Sequence, residues 1–415
     1  MKILMLGWEL PPHNSGGLGV ACYHMAKHLA IKGTDIDFVV PYSADHNIDF
    51  MNIHAAVKVS PEQLLFHGAY DSACYTCEDQ ELCEHAVPTS LRAQQKRYIA
   101  HVEKMVKTSD HDAIHAHDWL TFEAGMRAKE LTGKPLIAHV HATEFDRSGE
   151  HHGNPLVHDI EYNGLMMADH IIAVSQITKD IIIREYGIPA DKIEVVHNSI
   201  DPTEYPPLSG DNTYAYLAEM KARGYTVVVS VGRLTVQKGL SYLIDAASRA
   251  ISLNPKLLFL IAGSGELRDE LLVASAERGI AKNIIFTGFI RGKAWRDAYD
   301  IGDIFIMPSV SEPFGLVALE AAGHDNALLI SKQSGVVEVL SNIFTFDYWD
   351  SQRMADQIVN IARHDSLKTT MKQLSHEEYA RLSWSAAADA FMRIYQRHHR
   401  STSSKRHVQL SEVMA

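Results

Sequence analysis

The sequence predicts an α/β chain of two doubly wound, Rossmann-like domains facing a deep cleft. Three observations predict it. The chain has 415 residues, more than one compact core usually organises. Short, near-continuous runs of Val, Ile and Leu alternate with helix-patterned segments, which is the pattern of parallel sheets covered by helices on both faces. The alternation occurs twice, and the break between its two halves, "SIDPTEYPPLSGDN", is rich in Pro, Asp, Ser and Gly, the composition of a linker.

The strands of the first half read as "KILMLGW", "DIDFVVP", "AIHAH", "PLIAHVH", "HIIAVS" and "IEVVHNS". Those of the second half read as "TVVVSVG", "KLLFLIAG", "NIIFTG", "DIFIMPS" and "ALLIS". Between them lie helical patterns such as "GVACYHMAKHLAIKG" and "GLSYLIDAASRAISLN". The expected domains span 1–205 and 206–385. A helix over 386–400 is expected to cross back to the first domain, and 401–415 reads as a polar tail.

Composition narrows the function. Lys and Arg total 39 against 51 Asp and Glu, a net charge of −12, so nucleic acid is not an expected partner. No apolar run approaches the ~18 residues of a membrane span, so no integral membrane segment is expected. The opening "MKILMLGWELPP" is broken too soon by charge and proline for a signal peptide and reads as a buried strand. Four cysteines make no secreted disulfide framework, so a cytoplasmic location is expected. Cys74, Cys77 and Cys83, with His85 alongside, could hold zinc or stand as free thiols on an acidic loop.

Ligands of open parallel sheets bind beyond the carboxyl ends of the strands, so the chemistry is sought there. After the first strand, Gly16, Gly17 and Gly19 lead into a helix. Bare N–H groups at a helix start make an anion site, although Cys22 stands where a dinucleotide fingerprint has its third glycine and no P-loop lysine is present. "HAHDWLTFEAG" and "HVHATEFDR" place His115, His117, Asp118, His141 and Glu144 at two further strand ends. Sugar binding, a zinc hydrolase and plain structural histidines (His115 and His139) are the readings these allow. In the second half, Arg233 and Lys238 follow "TVVVSVG" directly. A guanidinium fork and an ammonium at a strand end suit a diphosphate. Gly263 and Gly265 form a lone G-x-G ahead of a helix.

"SEPFGLVALEAAG" sets Glu312 and Glu320 in an otherwise apolar stretch. Pro308, Pro313 and Gly315 end the preceding strand, and a helix is expected from Gly315 or Leu316, with Glu312 in the loop and Glu320 about one turn in. The N–H groups near Phe314, Gly315 and Leu316 are then unpaired helix-start donors, able to receive a phosphate between two carboxylates. Glycosidases also use paired carboxylates, but they need neither the cationic pair nor two anion loops. The combination favours a phosphorylated donor.

Together these residues resemble the retaining glycosyltransferases of family four, with the GT-B fold. The resemblance spans nearly the whole chain through "PPHNSGGLG", "HAHDW", "HATEFDR", "ADHIIAVS", "VVHNSID", "GRLTVQKG", "IAGSGE" and "EPFGLVALEA". Within the family, the motifs look most like bacterial and archaeal glycogen or starch synthases. By resemblance, Arg233 and Lys238 grip the donor diphosphate, Gly16, Gly17 and Gly232 approach it, and Phe314, Gly315 and Leu316 line it. Glu320 binds ribose, Glu312 and His141 contact the transferred sugar, and Asp118 and Glu9 face the sugar or acceptor. Two departures stand out: "HNSGG" lacks the lysine that bacterial glycogen synthases carry before the glycine pair, and "AAGHDNALLIS" puts His324, Asp325 and Asn326 where the family has Gly-x-Pro-Val-Val.

The resemblance implies a hexosyltransferase that moves glucose from UDP- or ADP-glucose to a glucan or other hydroxyl acceptor by front-face displacement. It implies no divalent metal and no cofactor beyond the nucleotide sugar. A GT-B epimerase or phosphorylase, or a non-catalytic sugar-nucleotide-binding protein, are the alternatives. Donor base, acceptor and oligomeric state are not legible in the sequence.

Overall fold

The computed structural model describes residues 1–13, 16–58, 90–149, 153–204 and 210–413. Asn14 and Ser15, and the cluster of Cys74, Cys77, Cys83 and His85, lie outside the described residues. The chain divides into two compact units: Met1–Glu144, Gly153–Asn198 and Trp384–Ala415 form the first, and Phe145–His152 with Ser199–Ser383 form the second.

The sheet of the first unit comprises β1 (Lys2–Leu6), β2 (Asp35–Val40), β3 (Asn52–Ala55), β4 (Ala113–His117), β5 (Leu136–Val140), β6 (His170–Ala173) and β7 (Ile193–Val195). Its order is β3-β2-β1-β4-β5-β6-β7, with every pairing parallel. The apolar runs form strands because both faces are covered: all five residues of β4 and of β5 are buried. A helix over Trp384–Val413 completes this unit. It runs well past the segment that apolar patterning marks, and Trp384, Phe391, Ile394 and Tyr395 enter the core.

The second unit contains β8 (Thr226–Val231), β9 (Leu257–Ala262), β10 (Ile284–Gly288), β11 (Ile304–Met307), β12 (Ala327–Ser331) and β13 (Phe344–Phe346). Its order is β10-β9-β8-β11-β12-β13, again parallel throughout. The helix Leu240–Leu253 shows why the segment folds this way. Leu240, Leu243, Ile244, Ala247 and Ala250 recur at helical spacing and are all buried in one cluster with Ile304, Ile306 and Met354. Each such leucine or isoleucine contributes roughly 1.5–3 kcal/mol by leaving water.

In both sheets the strand order reverses beside the first strand, between β1 and β4 and between β8 and β11. Adjacent loops diverge at such a point and leave room for a ligand at the carboxyl ends. This placement selects the candidate residues in each unit.

Candidate functional site

In the second unit, the loops after β8 and β11 carry the charged groups. Arg233 is partly buried and its Nη2 donates to Gln237 Oε1 at 3.3 Å. Lys238 Nζ is ion-paired with Glu312 Oε2. Ser309 Oγ donates to the same carboxylate oxygen at 3.2 Å. The Glu312 backbone is held by its N–H to Gln333 O at 2.9 Å and by its carbonyl, which accepts from Gly335 N at 2.9 Å. Arg233, Lys238, Ser309 and Glu312, with Gly232, border one small recess. A carboxylate of 8% exposure is tolerated there because it has both a cation and a hydroxyl donor.

The helix after this loop starts at Leu316 and runs to Gly323. Gly315, at its N-cap, has φ 104°, a conformation that costs glycine least. No side chain caps this end and its first turn holds no acidic residue, so its N–H groups remain available to an anion. Phe314 is buried and its carbonyl accepts from Val336 N at 2.7 Å. Glu320, on the helix, accepts from Tyr299 OH at 2.8 Å. Burial raises its carboxyl to about 7, against a smaller opposing effect of the Tyr299 hydrogen bond.

Gly239 joins the Lys238 turn to its helix at φ 64°, and a Cβ there would fall 2.0 Å from the Pro308 carbonyl oxygen. Gly239→Ala is therefore expected to destabilise the protein by more than the roughly 1 kcal/mol of the conformational term alone. Because Pro308 leads into the Glu312 loop, the nucleoside diphosphate affinity that the sequence resemblance implies for this loop should fall together with Tm. Thermal unfolding and titration of the same variant check this; unchanged affinity in a destabilised variant would uncouple the turn from the site. Gly263 and Gly265 prove to be packing residues: Cβ atoms there would strike the carbonyl oxygens of Gly232 and Leu234 at 1.8 and 2.4 Å.

In the first unit, a Cβ on Gly16 would lie 2.7 Å from Glu9 Oε2, so the glycine makes room for a carboxylate that is itself buried. Gly16 is the N-cap of the helix Gly17–Ile31, which has no side-chain cap and no acidic residue in its first turn. Asp118 caps the helix Trp119–Thr132 at φ 57°, a strained conformation for a residue with a side chain. Its backbone N–H donates to His139 O at 3.0 Å, and its Oδ1 accepts from His141 N at 2.6 Å. The strain thus aims the Asp118 carboxylate at the main chain that carries His141.

Strand alternation puts His115 and His117 on one face, their rings 4.3 Å apart, and the rings of His139 and His141 are 4.1 Å apart. His117 Nδ1 is 3.0 Å from His141 Nε2. His115 turns inward, with Nδ1 2.6 Å from Tyr395 OH and Nε2 3.2 Å from His139 Nδ1. Burial holds His115 and His141 at about 3 and pushes His117 and His139 well below the ordinary imidazole value, so all four are neutral near pH 7. Glu144 is committed locally, its Oε1 accepting from Asn154 N at 2.8 Å.

Two groups of described residues, Cys22/His117/His141 and His115/His117/His139, bring three ligand atoms within 4.8 Å. Their nitrogens already face one another in the pairs above. Neither group contains a carboxylate, and burial keeps the Cys22 thiol protonated. A dication would break those hydrogen bonds and bring in a charge without an anion to match it.

Some partners escaped the sequence reading. Asp146, fully buried, accepts from Ser311 Oγ at 2.6 Å and ties its segment to the Glu312 loop. Ser309 and Tyr299, on Glu312 and Glu320, are the others. The one available signal was an acidic residue inside "HATEFDR".

Comparison with known proteins decides the family. Residues 15–204 match the model described as Glycosyltransferase Family 4, and residues 218–382 match that described as Glycosyl transferases group 1. An uncharacterized glycosyltransferase of Methanocaldococcus jannaschii is 31% identical over 350 residues, 82% of this chain and 83% of that protein. The chain belongs to glycosyltransferase family 4. The glycogen synthase of Mycobacterium tuberculosis is 28% identical to this glycosyltransferase over 353 residues, 82% of this chain and 80% of that one. The structure of Anabaena HepE in complex with UDP and glucose superposes with a TM-score of 0.72 at 20% identity, covering 96% of this chain and 100% of that one. The fold of this glycosyltransferase is GT-B, and no helix among the described residues is long and apolar enough to cross a membrane.

Proposed function

We propose that this glycosyltransferase is a retaining hexosyltransferase that transfers glucose from a nucleotide-diphosphate sugar to a glucan or other hydroxyl acceptor. The observation that carries the reading is the pairing, in one unit, of Arg233 and Lys238 with an uncapped helix start at Leu316. Fixed positive charge and bare N–H groups meet the charge that develops on a departing diphosphate. The bond between the sugar C1 and the phosphate oxygen breaks, the acceptor oxygen bonds to C1 on the same face, and the acceptor proton leaves toward the diphosphate. Glu312 supports the positive character of the sugar ring and Glu320 accepts from ribose hydroxyls. In the first unit, His141 contacts a sugar oxygen, and Gly16 and Gly17 give the helix start close access to an anion. The glucan acceptor is supported by the likeness to a glycogen synthase.

No divalent cation is needed in this scheme, because side chains and helix termini meet the phosphate charge. The test is product analysis with UDP- and ADP-glucose, with and without a glucan, in excess chelator. An α-linked glucosyl product in chelator is expected. Release of altered free sugar without acceptor would point to an epimerase, and turnover restored only by Mg²⁺ would overturn the metal-free scheme.

Glu320 supplies a pH signature. Its folded pKa is raised, so the stability it contributes is fully present below its ordinary 4.5 and is lost as pH rises through about 7. Ribose hydroxyls donate best to the ionised form. Nucleoside diphosphate affinity should therefore climb between pH 6 and 7.5, by up to roughly tenfold per unit below the pKa. Calorimetric titration across this range should show the climb in the wild type and a flat profile in Glu320→Gln; the same climb in both would remove Glu320 from the ribose.

A further inference from the structure

His117 ends β4 and has no place in the mechanism above. Its ring is fully buried. Nδ1 lies 3.0 Å from His141 Nε2, while Nε2 meets no hydrogen-bond partner. Neutral imidazole carries one N–H and one lone pair, so two arrangements are open. If the His117 proton sits on Nε2, a buried N–H is orphaned and His141 must donate from Nε2, leaving His141 Nδ1 as a bare acceptor. If it sits on Nδ1, His117 donates to His141 Nε2, the orphan is only a lone pair, and the His141 proton is forced onto Nδ1. Orphaned buried N–H groups are the rarer and costlier of the two defects. The neighbouring Cys22 thiol is a weak donor and offers no strong acceptor that would reward the first arrangement.

We infer that His117 is a positioning residue that locks His141 as an Nδ1–H donor, so that His141 presents a hydrogen-bond donor rather than a lone pair to an oxygen of the substrate. Asp118 completes the device by holding the His141 backbone N–H at 2.6 Å. One residue thus fixes the main chain of His141 and its sequence neighbour fixes the ring's protonation pattern, as second partners of functional histidines do elsewhere. The consequence for the substrate rests on the proposed role of His141, whereas the protonation pattern itself does not.

The experiment reads the two separately. In the full-length protein labelled with ¹⁵N-histidine, protonated and bare ring nitrogens resonate apart, and His141→Phe identifies the His141 signals. Wild type is expected to show a protonated Nδ1 and a bare Nε2 at His141; a protonated Nε2 there overturns the inference. His117→Asn retains an N–H near the Nδ1 position and His117→Phe does not. His117→Phe should lower kcat roughly tenfold, the worth of one hydrogen bond, with nucleoside diphosphate affinity unchanged. His117→Asn should recover most of that loss and keep the His141 pattern. An Asn variant as impaired as the Phe variant, at equal Tm, would reduce His117 to packing and overturn the inference. If His141→Ala transfers sugar normally, the proposed role of His141 fails while the spectra still decide its protonation.

Discussion

Arg233→Ala is expected to lower kcat by roughly 10²–10³, the loss seen when one fixed electrostatic partner of a transition state is removed. Arg233 follows β8 at the strand-order reversal, and its Nη2 donates to the neutral side chain of Gln237. In the proposed reaction the interaction strengthens as negative charge moves onto the leaving group, so the loss should fall more on kcat than on KM. Arg233→Lys should recover part of the charge but not the two-pronged geometry. Steady-state kinetics with equal Tm check this. A rise in KM alone, at unchanged kcat, would place Arg233 in ground-state binding.

Glu312 and Lys238 are expected to fail together. Glu312→Ala should lower kcat by roughly two orders of magnitude while nucleoside diphosphate affinity stays near wild type. Lys238 is ion-paired with Glu312, so removing the carboxylate leaves a partly buried ammonium that a diphosphate can still satisfy. Lys238→Ala instead strands the Glu312 carboxylate with only Ser309 as donor among the side-chain bonds resolved for it, and it should weaken diphosphate binding as well as turnover. Because the two side chains share one bond, the double variant should lose far less than the product of the single losses. Kinetics and nucleotide titration on the three variants measure this coupling. Strictly multiplicative losses would mean that the pair opens before chemistry. Abolished nucleotide binding in Glu312→Ala would exchange the roles assigned to Glu312 and Glu320.

The fold was legible where burial left a mark on the sequence. Runs such as "KLLFLIAG" and "DIFIMPS" become fully buried strands, and their apolar continuity is the direct trace of two covered faces. β3 and β13 escaped because they are edge strands of four and three residues, largely half-buried; they exist through pairing with β2 and β12, not through an apolar run of their own. The site divides along the same line. Arg233, Lys238, Glu312 and Glu320 are charged residues where a sequence expects apolar or turn residues, and so they stand out. The contacts that tie distant segments together do not. Ser311 reaches Asp146 across 165 positions and His115 reaches Tyr395 across 280, distances over which no local pattern carries information. The glycines at 263 and 265 mislead for a related reason: a missing side chain reads the same whether a phosphate or a neighbouring carbonyl fills the space.

The first unit is assembled from both ends of the chain, with Trp384, Phe391 and Tyr395 inside its core, whereas nearly all of the second unit is the uninterrupted stretch from Ser199 to Ser383. On the ribosome this reverses the usual N-to-C sequence of maturation. The later-made unit has nearly all its parts first, while some two hundred earlier residues wait with an incomplete core. A stop codon near residue 383 would leave a nearly intact second unit attached to a first unit with a hole in its core, a product for quality-control proteases.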